Sequence, residues 1–423
     1  MKRKGTGGLA VAGLALVTAL AGCGGGGTDA GKDSGAEKSP TAGADLAIQP
    51  EGTGDPFVDA RTAAAHMPMT ATTLAGGYAK AAKLKGDVEA PASELRANLT
   101  ALLQEHVYLA GIAVATAYAK GPDSAEFKAA AEVVNANATD LSEAVGSVGG
   151  EKAGKQFDEG FKAHIQDFVS YAVAAKGKDE AGKKEAVDNL TAYAKEQGKF
   201  WNAATKGALP ASAVQKSFEH HIGGVAGAVD ALAAGDTSAY EKLKHAAEHM
   251  PEMAATLAGG VAKATKMEGD VDSPASKLRS DLTALLQEHV YLAGIAVFTA
   301  YTTEGGTGSE AFKAAAKTLD DNSVALSKGI GSLAGPDNEK TFLKVWRDHI
   351  GNFVTYAEGA ATKDDAKREK AIDDLDAYRG TAGDFFEKTS KGELPSDAVA
   401  DSLKTHVAGL AGAIDSMAKA LVK

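Results

Sequence analysis

Histidines on predicted helices are the residues of this chain best suited to chemistry. The string LTALLQEHVYLAGIAV occurs twice without change, at Leu99–Val114 and at Leu282–Val297, and each copy carries one histidine. Imidazole binds transition metals and haem, and it titrates near neutral pH. Aligning the chain outward from the two copies pairs eight of its ten histidines, and these are the candidate functional residues: His66 with His249, His106 with His289, His164 with His349, and His221 with His406.

The paired histidines occupy apolar faces of predicted helices. Leu99, Leu102, His106 and Leu109 are spaced by three or four residues, which directs His106 into the core of a helical bundle. A single buried histidine is usually a hydrogen-bonded core residue, but four in one bundle would each need a polar partner. We therefore predict that all eight paired histidines bind a metal ion. The alternative is that they hydrogen-bond among themselves or to Tyr, Asp and Asn.

Copper is the metal that the neighbouring residues favour. Met67 directly follows His66 and Met250 directly follows His249, and a thioether beside imidazoles suits copper. Cys23 is the only cysteine, which excludes thiolate clusters. These methionines could equally be ordinary core residues.

Two acidic residues are candidate auxiliary ligands. Glu105 and Glu288 directly precede His106 and His289, at the flank of the apolar face. A carboxylate there suits an outer contact to a metal-bound imidazole, although it could also lie in solvent.

Non-covalent haem b is the alternative cofactor. Inward histidines with aromatic neighbours such as Phe161 and Phe168 can enclose a porphyrin in a bundle. The chain has no Cys-x-x-Cys-His motif, so any haem would be held without covalent attachment. A structural or interaction lipoprotein without a ligand is the remaining alternative.

The N-terminus has the pattern of a bacterial lipoprotein signal. Basic residues precede a short apolar run that ends in Leu20-Ala21-Gly22-Cys23. We predict a signal peptide over residues 1–22, lipidation of Cys23, and a flexible Gly-rich linker over 23–56. The protein would then be anchored in the cell membrane on its extracytoplasmic face, as in Gram-positive lipoproteins.

The rest of the chain predicts an all-α protein of two tandem homologous antiparallel bundles. Periodic apolar positions indicate about six helices per repeat, with repeat 1 over residues 57–236 and repeat 2 over 237–423. The net charge of −11 argues against nucleic acid as a partner.

No catalytic motif survives comparison of the two repeats, so we predict that the protein is not an enzyme. His245-Ala-Ala-Glu248-His249 has the His-x-x-Glu-His pattern of inverted zinc peptidases. The other repeat has Thr62 and Ala65 in place of His245 and Glu248. His220 has Thr405 as its counterpart and is predicted to be a surface residue.

Several strings resemble a poorly characterised helical family of extracytoplasmic proteins from Gram-positive bacteria: LLQEHVYLAGIAV, FKAHIQDFVSYA, WRDHIGNFVTYA and AEHMPEMAATLAGG. Some members are named after copper amine oxidase, but that enzyme makes its quinone from the tyrosine of an Asn-Tyr motif, which this chain lacks. In the family the His-Met helix follows the other histidine helices. The resemblance therefore leaves open which bundle the predicted helix 238–267 completes.

Overall fold

The computed structural model describes residues 48–422, and over that range it confirms the all-α fold, with helices and no strands. The predicted signal peptide, Cys23 and the linker as far as residue 47 lie outside the described residues. The α-helices are α1 Pro56–Ala65, α2 Met67–Ala81, α3 Pro91–Lys120, α4 Ala125–Gly149, α5 Glu151–Gly177, α6 Glu180–Ala204, α7 Ala211–Ala234, α8 Ala239–Glu248, α9 Met250–Thr265, α10 Pro274–Thr302, α11 Glu310–Ala334, α12 Pro336–Thr362, α13 Asp365–Thr389 and α14 Ser396–Leu421.

The ends of these helices follow from local sequence. The side chains of Asp55, Ser124 and Asp179 each accept a hydrogen bond from a backbone N–H in the first turn of the helix that follows. Proline occupies the first turn of α3 and of α10, where its missing N–H costs nothing. Gly121 and Gly150, which end α3 and α4, have φ of 103° and 86°, a backbone region that favours glycine.

The first predicted helix of each repeat is broken at its histidine. His66 lies between α1 and α2, and His249 lies between α8 and α9. The His-Met-Pro sequence explains the break, because Pro68 and Pro251 have no N–H to continue the hydrogen-bond ladder of the preceding helix. Each repeat therefore contains seven helices where the sequence pattern indicates six.

The two repeats exchange these broken helices. The α8–α9 pair packs on α3 and α7, whereas the α1–α2 pair packs on α10 and α14. We call α3–α9 the first bundle, and α10–α14 together with α1 and α2 the second bundle. The helix predicted at 238–267 thus completes the bundle of the repeat that precedes it. The division into domains at residue 236 stays a prediction about the sequence repeats.

The bundles meet along α3 and α10 through contacts that occur in reciprocal pairs. The rings of Tyr108 and Tyr291 stack with centroids 5.4 Å apart. Each equivalent contact occurs twice, as expected for two homologous halves related by a pseudo-twofold axis. These pairs are Tyr108 to Glu288 and Tyr291 to Glu105, both 2.8 Å, and Arg96 to the Val271 carbonyl and Arg279 to the Val88 carbonyl, at 2.8 and 2.6 Å.

The central position of α3 and α10 explains their unusual composition. Both are long and apolar enough to cross a membrane, but 72% and 83% of their most apolar windows are buried inside the structure. They therefore have the character of core helices in this fold.

The last residues of the predicted linker pack against the second bundle. Ile48 is buried, and the Glu51 N–H donates to the Ala408 carbonyl at 3.0 Å. The prediction of a flexible linker as far as residue 56 therefore does not hold for residues 48–55. Ile48 is the physical reason, since burial of a large apolar side chain lowers the free energy of the folded state.

Candidate metal centre

Each bundle contains three buried histidines whose ring nitrogens point towards one place. The first triad consists of His106 on α3, His164 on α5 and His221 on α7, and the second of His289 on α10, His349 on α12 and His406 on α14. Within each triad, one ring nitrogen from every histidine lies within 4.8 Å of the others. All six side chains are buried. The sequence prediction that these six histidines point inward is confirmed.

The spacing of the triads suits a single ion. The Nε2 atoms of His289 and His349 are 3.3 Å apart. Two nitrogens bound tetrahedrally to one metal at about 2.0 Å would also be about 3.3 Å apart. In the first triad, the ring centroid of His106 lies 5.2 Å from that of His164 and 6.2 Å from that of His221. Small rotations of the rings would therefore bring three nitrogens onto one ion.

Most of the imidazoles have a buried nitrogen without a hydrogen-bond partner. This holds for Nδ1 of His106, His221 and His289, and for both ring nitrogens of His406. A buried polar atom without a partner costs free energy, so such atoms call for an explanation. A shared cation would supply a partner for His406, but in the second triad it would lie at the facing Nε2 atoms and leave Nδ1 of His289 without one. The backbone contacts of His164 with the Phe161 carbonyl and of His349 with Trp346 orient these two rings and leave Nε2 for a ligand.

Burial keeps the triads uncharged. Removal from water, together with the neighbouring imidazoles, lowers the pKa of His106, His164 and His221 to about 3. In the second triad the same causes lower the pKa of His289 to about 3 and that of His349 well below its ordinary value. A neutral imidazole is the form that binds a metal, so both triads are ready to bind at neutral pH.

Aromatic side chains that the sequence analysis did not identify hold the rings in place. Tyr193 on α6 stacks on His164 with centroids 4.7 Å apart, and Tyr378 on α13 stacks on His349 at 4.6 Å. The two tyrosines are sequence equivalents in the two repeats. Each tyrosine lies three residues after a leucine on the apolar helix face, Leu190 or Leu375, and this spacing is the sequence signal that could have revealed it.

The other two predicted ligands, His66 and His249, lie outside the triads. Both occupy the breaks between the paired short helices and are partly exposed. Because the broken helices are exchanged, His66 lies near His406 and His249 lies near His221, and each lowers the pKa of its neighbour. The structure thus places them beside the triads and not within them.

Met67 and Met250 point inward at the same breaks. They are 3% and 1% exposed, in contrast to the neighbouring His66 and His249. Met67 and His406 line one small cavity of about 20 Å³ together with Trp346 and Leu403. A cavity of this size holds about one water molecule. The methionine that sequence repeat 1 contributes therefore lines a cavity beside one histidine of the second triad.

Glu105 and Glu288 are occupied by contacts between the bundles. Glu105 accepts hydrogen bonds from Tyr291, Asn137 and Arg61. Glu288 accepts from Tyr108 and Asn322, and the Lys244 ammonium lies 3.4 Å away. Asn137, which donates to Glu105, also hydrogen-bonds to His106, so Glu105 is connected to the first triad through Asn137. Neither carboxylate belongs to the metal-competent groups, and their role as auxiliary ligands stays a prediction. The buried Asn137 and Asn322 were not identified from sequence.

The peptidase-like motif does not form a metal site. His245 is exposed, and Glu248 contacts both His245 and the Lys244 ammonium. The metal-competent groups found among the described residues contain the six triad histidines and no carboxylate. His220 lies on the surface, as predicted.

Two larger cavities have no histidine in their lining. Their volumes are about 350 and 360 Å³; side chains of α3 and α10 are among those that line the first, and side chains of α10, α12 and α14 are among those that line the second. Neither is lined by a histidine, so neither is part of the candidate metal centres.

No family model, curated protein or solved structure matches this chain. The resemblance to the Gram-positive extracytoplasmic family therefore stays a prediction from the quoted strings. Any conclusion about function rests on the geometry of the two triads.

Proposed function

We propose that this chain is a copper-binding protein that holds one ion in each histidine triad for sequestration or delivery. The observation that carries the proposal is the convergence of three buried, neutral imidazoles in each bundle, with donor atoms within 4.8 Å of one another. The arrangement occurs in both repeats of the chain, and both ring nitrogens of His406 lack a hydrogen-bond partner.

The charge of the site supports Cu(I) over a divalent ion. Three neutral imidazoles leave the full ionic charge uncompensated in a dry core, and the cost of burying an ion rises with the square of its charge. A monovalent ion is therefore favoured where the ligand group contains no carboxylate. Imidazole also binds zinc, so Zn(II) is the competing ion that an experiment must include.

The buried thioethers give further support for copper. Met67 shares a cavity with His406, and Met250 is the equivalent residue of sequence repeat 2. Thioether sulfur is a soft ligand that selects Cu(I), whereas zinc sites are built from imidazole, thiolate and carboxylate.

The geometry favours a bare ion over haem. Axial ligands of a haem lie on opposite sides of the porphyrin plane, but the Nε2 atoms of His289 and His349 are in direct contact at 3.3 Å. The cavity beside His406, at about 20 Å³, is far smaller than a pocket for an organic cofactor, which spans about 300 Å³ or more.

The location and the absence of catalysis are further parts of the proposal. The Leu20-Ala21-Gly22-Cys23 sequence supports lipidation of Cys23 and display of the bundles on the extracytoplasmic face of the membrane. A fully buried triad gives a substrate no access to the ion, which supports storage or transfer over an oxidase activity.

The test is a metal titration of the chain without a His tag, using Cu(I), Cu(II), Zn(II) and haemin in the presence of competing chelators. We expect two Cu(I) per chain, and no Soret band with haemin. The double variant H106A/H289A should lose tight binding at both triads. H245A, which removes an exposed histidine outside the triads, is the matched control and should retain two ions.

The alternatives give different results. Tight Zn(II) binding with weak Cu(I) binding would identify zinc as the metal, and a Soret band would identify haem as the cofactor. If nothing competes with the chelators while H106A/H289A lowers thermal stability, the histidines have a structural role and the proposed function is wrong.

A further inference from the structure

A pair of histidines lies at the outer end of the first triad. The ring centroids of His220 on α7 and His249 at the α8–α9 break are 4.0 Å apart. His220 is exposed, whereas the His249 side chain is 14% exposed. The Ser217 hydroxyl lies 3.5 Å from His249 Nε2, which fixes the broken helix against α7 at this point. Two imidazoles in contact at a surface can bind one metal ion after a small rotation of the exposed ring.

This pair directly adjoins the buried site. His220 precedes the triad residue His221 in α7, and Met250, which follows His249, is 1% exposed. The imidazoles of His249 and His220, together with burial and His106, lower the pKa of His221. Imidazole and thioether ligands therefore occur both at the surface, in His220 and His249, and in the core, in Met250 and His221.

The second bundle lacks this arrangement. Thr405 stands where the first bundle has His220, so α14 offers His66 no second histidine beside His406. Ser402, the counterpart of Ser217, makes its contact with Thr70 at 3.2 Å. Met69, one turn beyond His66, is 67% exposed. The two triads are thus alike, while their outer ends differ in ligand number and type.

We infer that His220 and His249 form an outer copper site through which the ion reaches the first triad, an inference that rests on the proposed function. A bare cation cannot cross into a dry core without a large desolvation cost. Stepwise exchange of ligands removes that cost, since the ion moves from the two outer imidazoles to Met250 and His221 without being uncoordinated. No bond other than metal–ligand bonds changes, and the ion keeps its oxidation state.

The test measures the rate at which each triad takes up copper from the Cu(I)–bicinchoninate complex. The first triad is observed alone in an H289A/H349A background, and the second alone in an H106A/H164A background. We expect H220T, which copies the second bundle, to slow loading of the first triad by about tenfold or more without changing its equilibrium affinity. The reverse substitution T405H should accelerate loading of the second triad, and T405A is its control.

The outcomes separate this inference from the proposed function. Unchanged rates in H220T and T405H, with both triads still loading fully, would overturn the outer site and leave the copper sites standing. A loss of equilibrium affinity in H220T at an unchanged rate would place His220 in the storage site and would also overturn the inference. Failure of every background to take up copper would overturn both proposals.

Discussion

The two bundles differ at the surface and agree in the core. Each core has a histidine triad with the same helix positions and a stacked tyrosine, Tyr193 or Tyr378. At the surface, the first bundle has the histidine pair His220 and His249, and the second has His66 with an exposed Met69. Under the proposed function, the residues that hold an ion and the residues that give access to it are separate, so one set can change while the other is retained.

Acid should affect the two triads equally, and this is the largest effect that we expect. The unfolded pKa of histidine is about 6.5, whereas burial lowers the pKa of His106 and His289 to about 3 and that of His406 to about 4. Below pH 6.5 the unfolded chain therefore binds more protons than the folded chain, and the free energy of unfolding decreases as the pH is lowered. Each triad histidine costs about 1 kcal/mol per pH unit in this range.

Six such histidines are enough to unfold a protein whose total stability is about 5–15 kcal/mol. We expect the metal-free chain to unfold cooperatively between about pH 6 and pH 4, as followed by circular dichroism. The triple variants H106L/H164L/H221L and H289L/H349L/H406L should each halve the dependence on pH. If only one of them did so, the bundles would not be equivalent in the core.

From the exchange of the broken helices we expect Met67 to affect the second triad and Met250 to affect the first. In the H106A/H164A background, M67A should increase the rate of copper loss from the second triad by about tenfold, because a soft neighbour of His406 is removed. In the H289A/H349A background the same substitution should have no effect. Chelator-driven release of Cu(I) measures both rates.

M417A is the matched control, since Met417 is also buried but lines a cavity without histidines. M250A should show the reverse pattern, with an effect at the first triad alone. An effect of M67A on the first triad would mean that the broken helices are not exchanged.

The smallest effect concerns the two tyrosine–glutamate contacts between the bundles. Y108F should lower the free energy of unfolding by about 1–3 kcal/mol, because it removes a hydrogen bond from a buried carboxylate. Y291F should cost less, since Glu105 keeps two contacts of 3.1 Å from Arg61, whereas Lys244 is 3.4 Å from Glu288. Urea denaturation of the metal-free variants measures the difference, and equal losses would show that Arg61 does not compensate.

The fold and the triads follow from local sequence patterns. Apolar spacing of three and four residues identifies the helices and places His106, His164 and His221 inward, because a helix turns once every 3.6 residues. The duplication adds the same information for His289, His349 and His406. These predictions concern the faces of single helices, which sequence alone can define.

The partners of a helix are set by tertiary packing, which no single-helix pattern contains. The exchange of α1–α2 and α8–α9 therefore could not be read from spacing, and it determines where His66, His249, Met67 and Met250 lie. The same limit explains Glu105, whose partners Tyr291 and Arg61 come from distant parts of the chain. The break at His-Met-Pro was visible in Pro68, but its effect on the positions of the neighbouring side chains was not.

The reciprocal contacts along α3 and α10 also have a consequence for assembly. Repeat 1 contributes α1 and α2 to the second bundle, repeat 2 contributes α8 and α9 to the first, and the short turn between α7 and α8 connects the repeats in sequence. A chain with a single repeat could complete its bundle in this way only by exchanging its first two helices with a second copy, as a symmetric, domain-swapped dimer. Covalent linkage of the two copies fixes their ratio and replaces a concentration-dependent association with an intramolecular one.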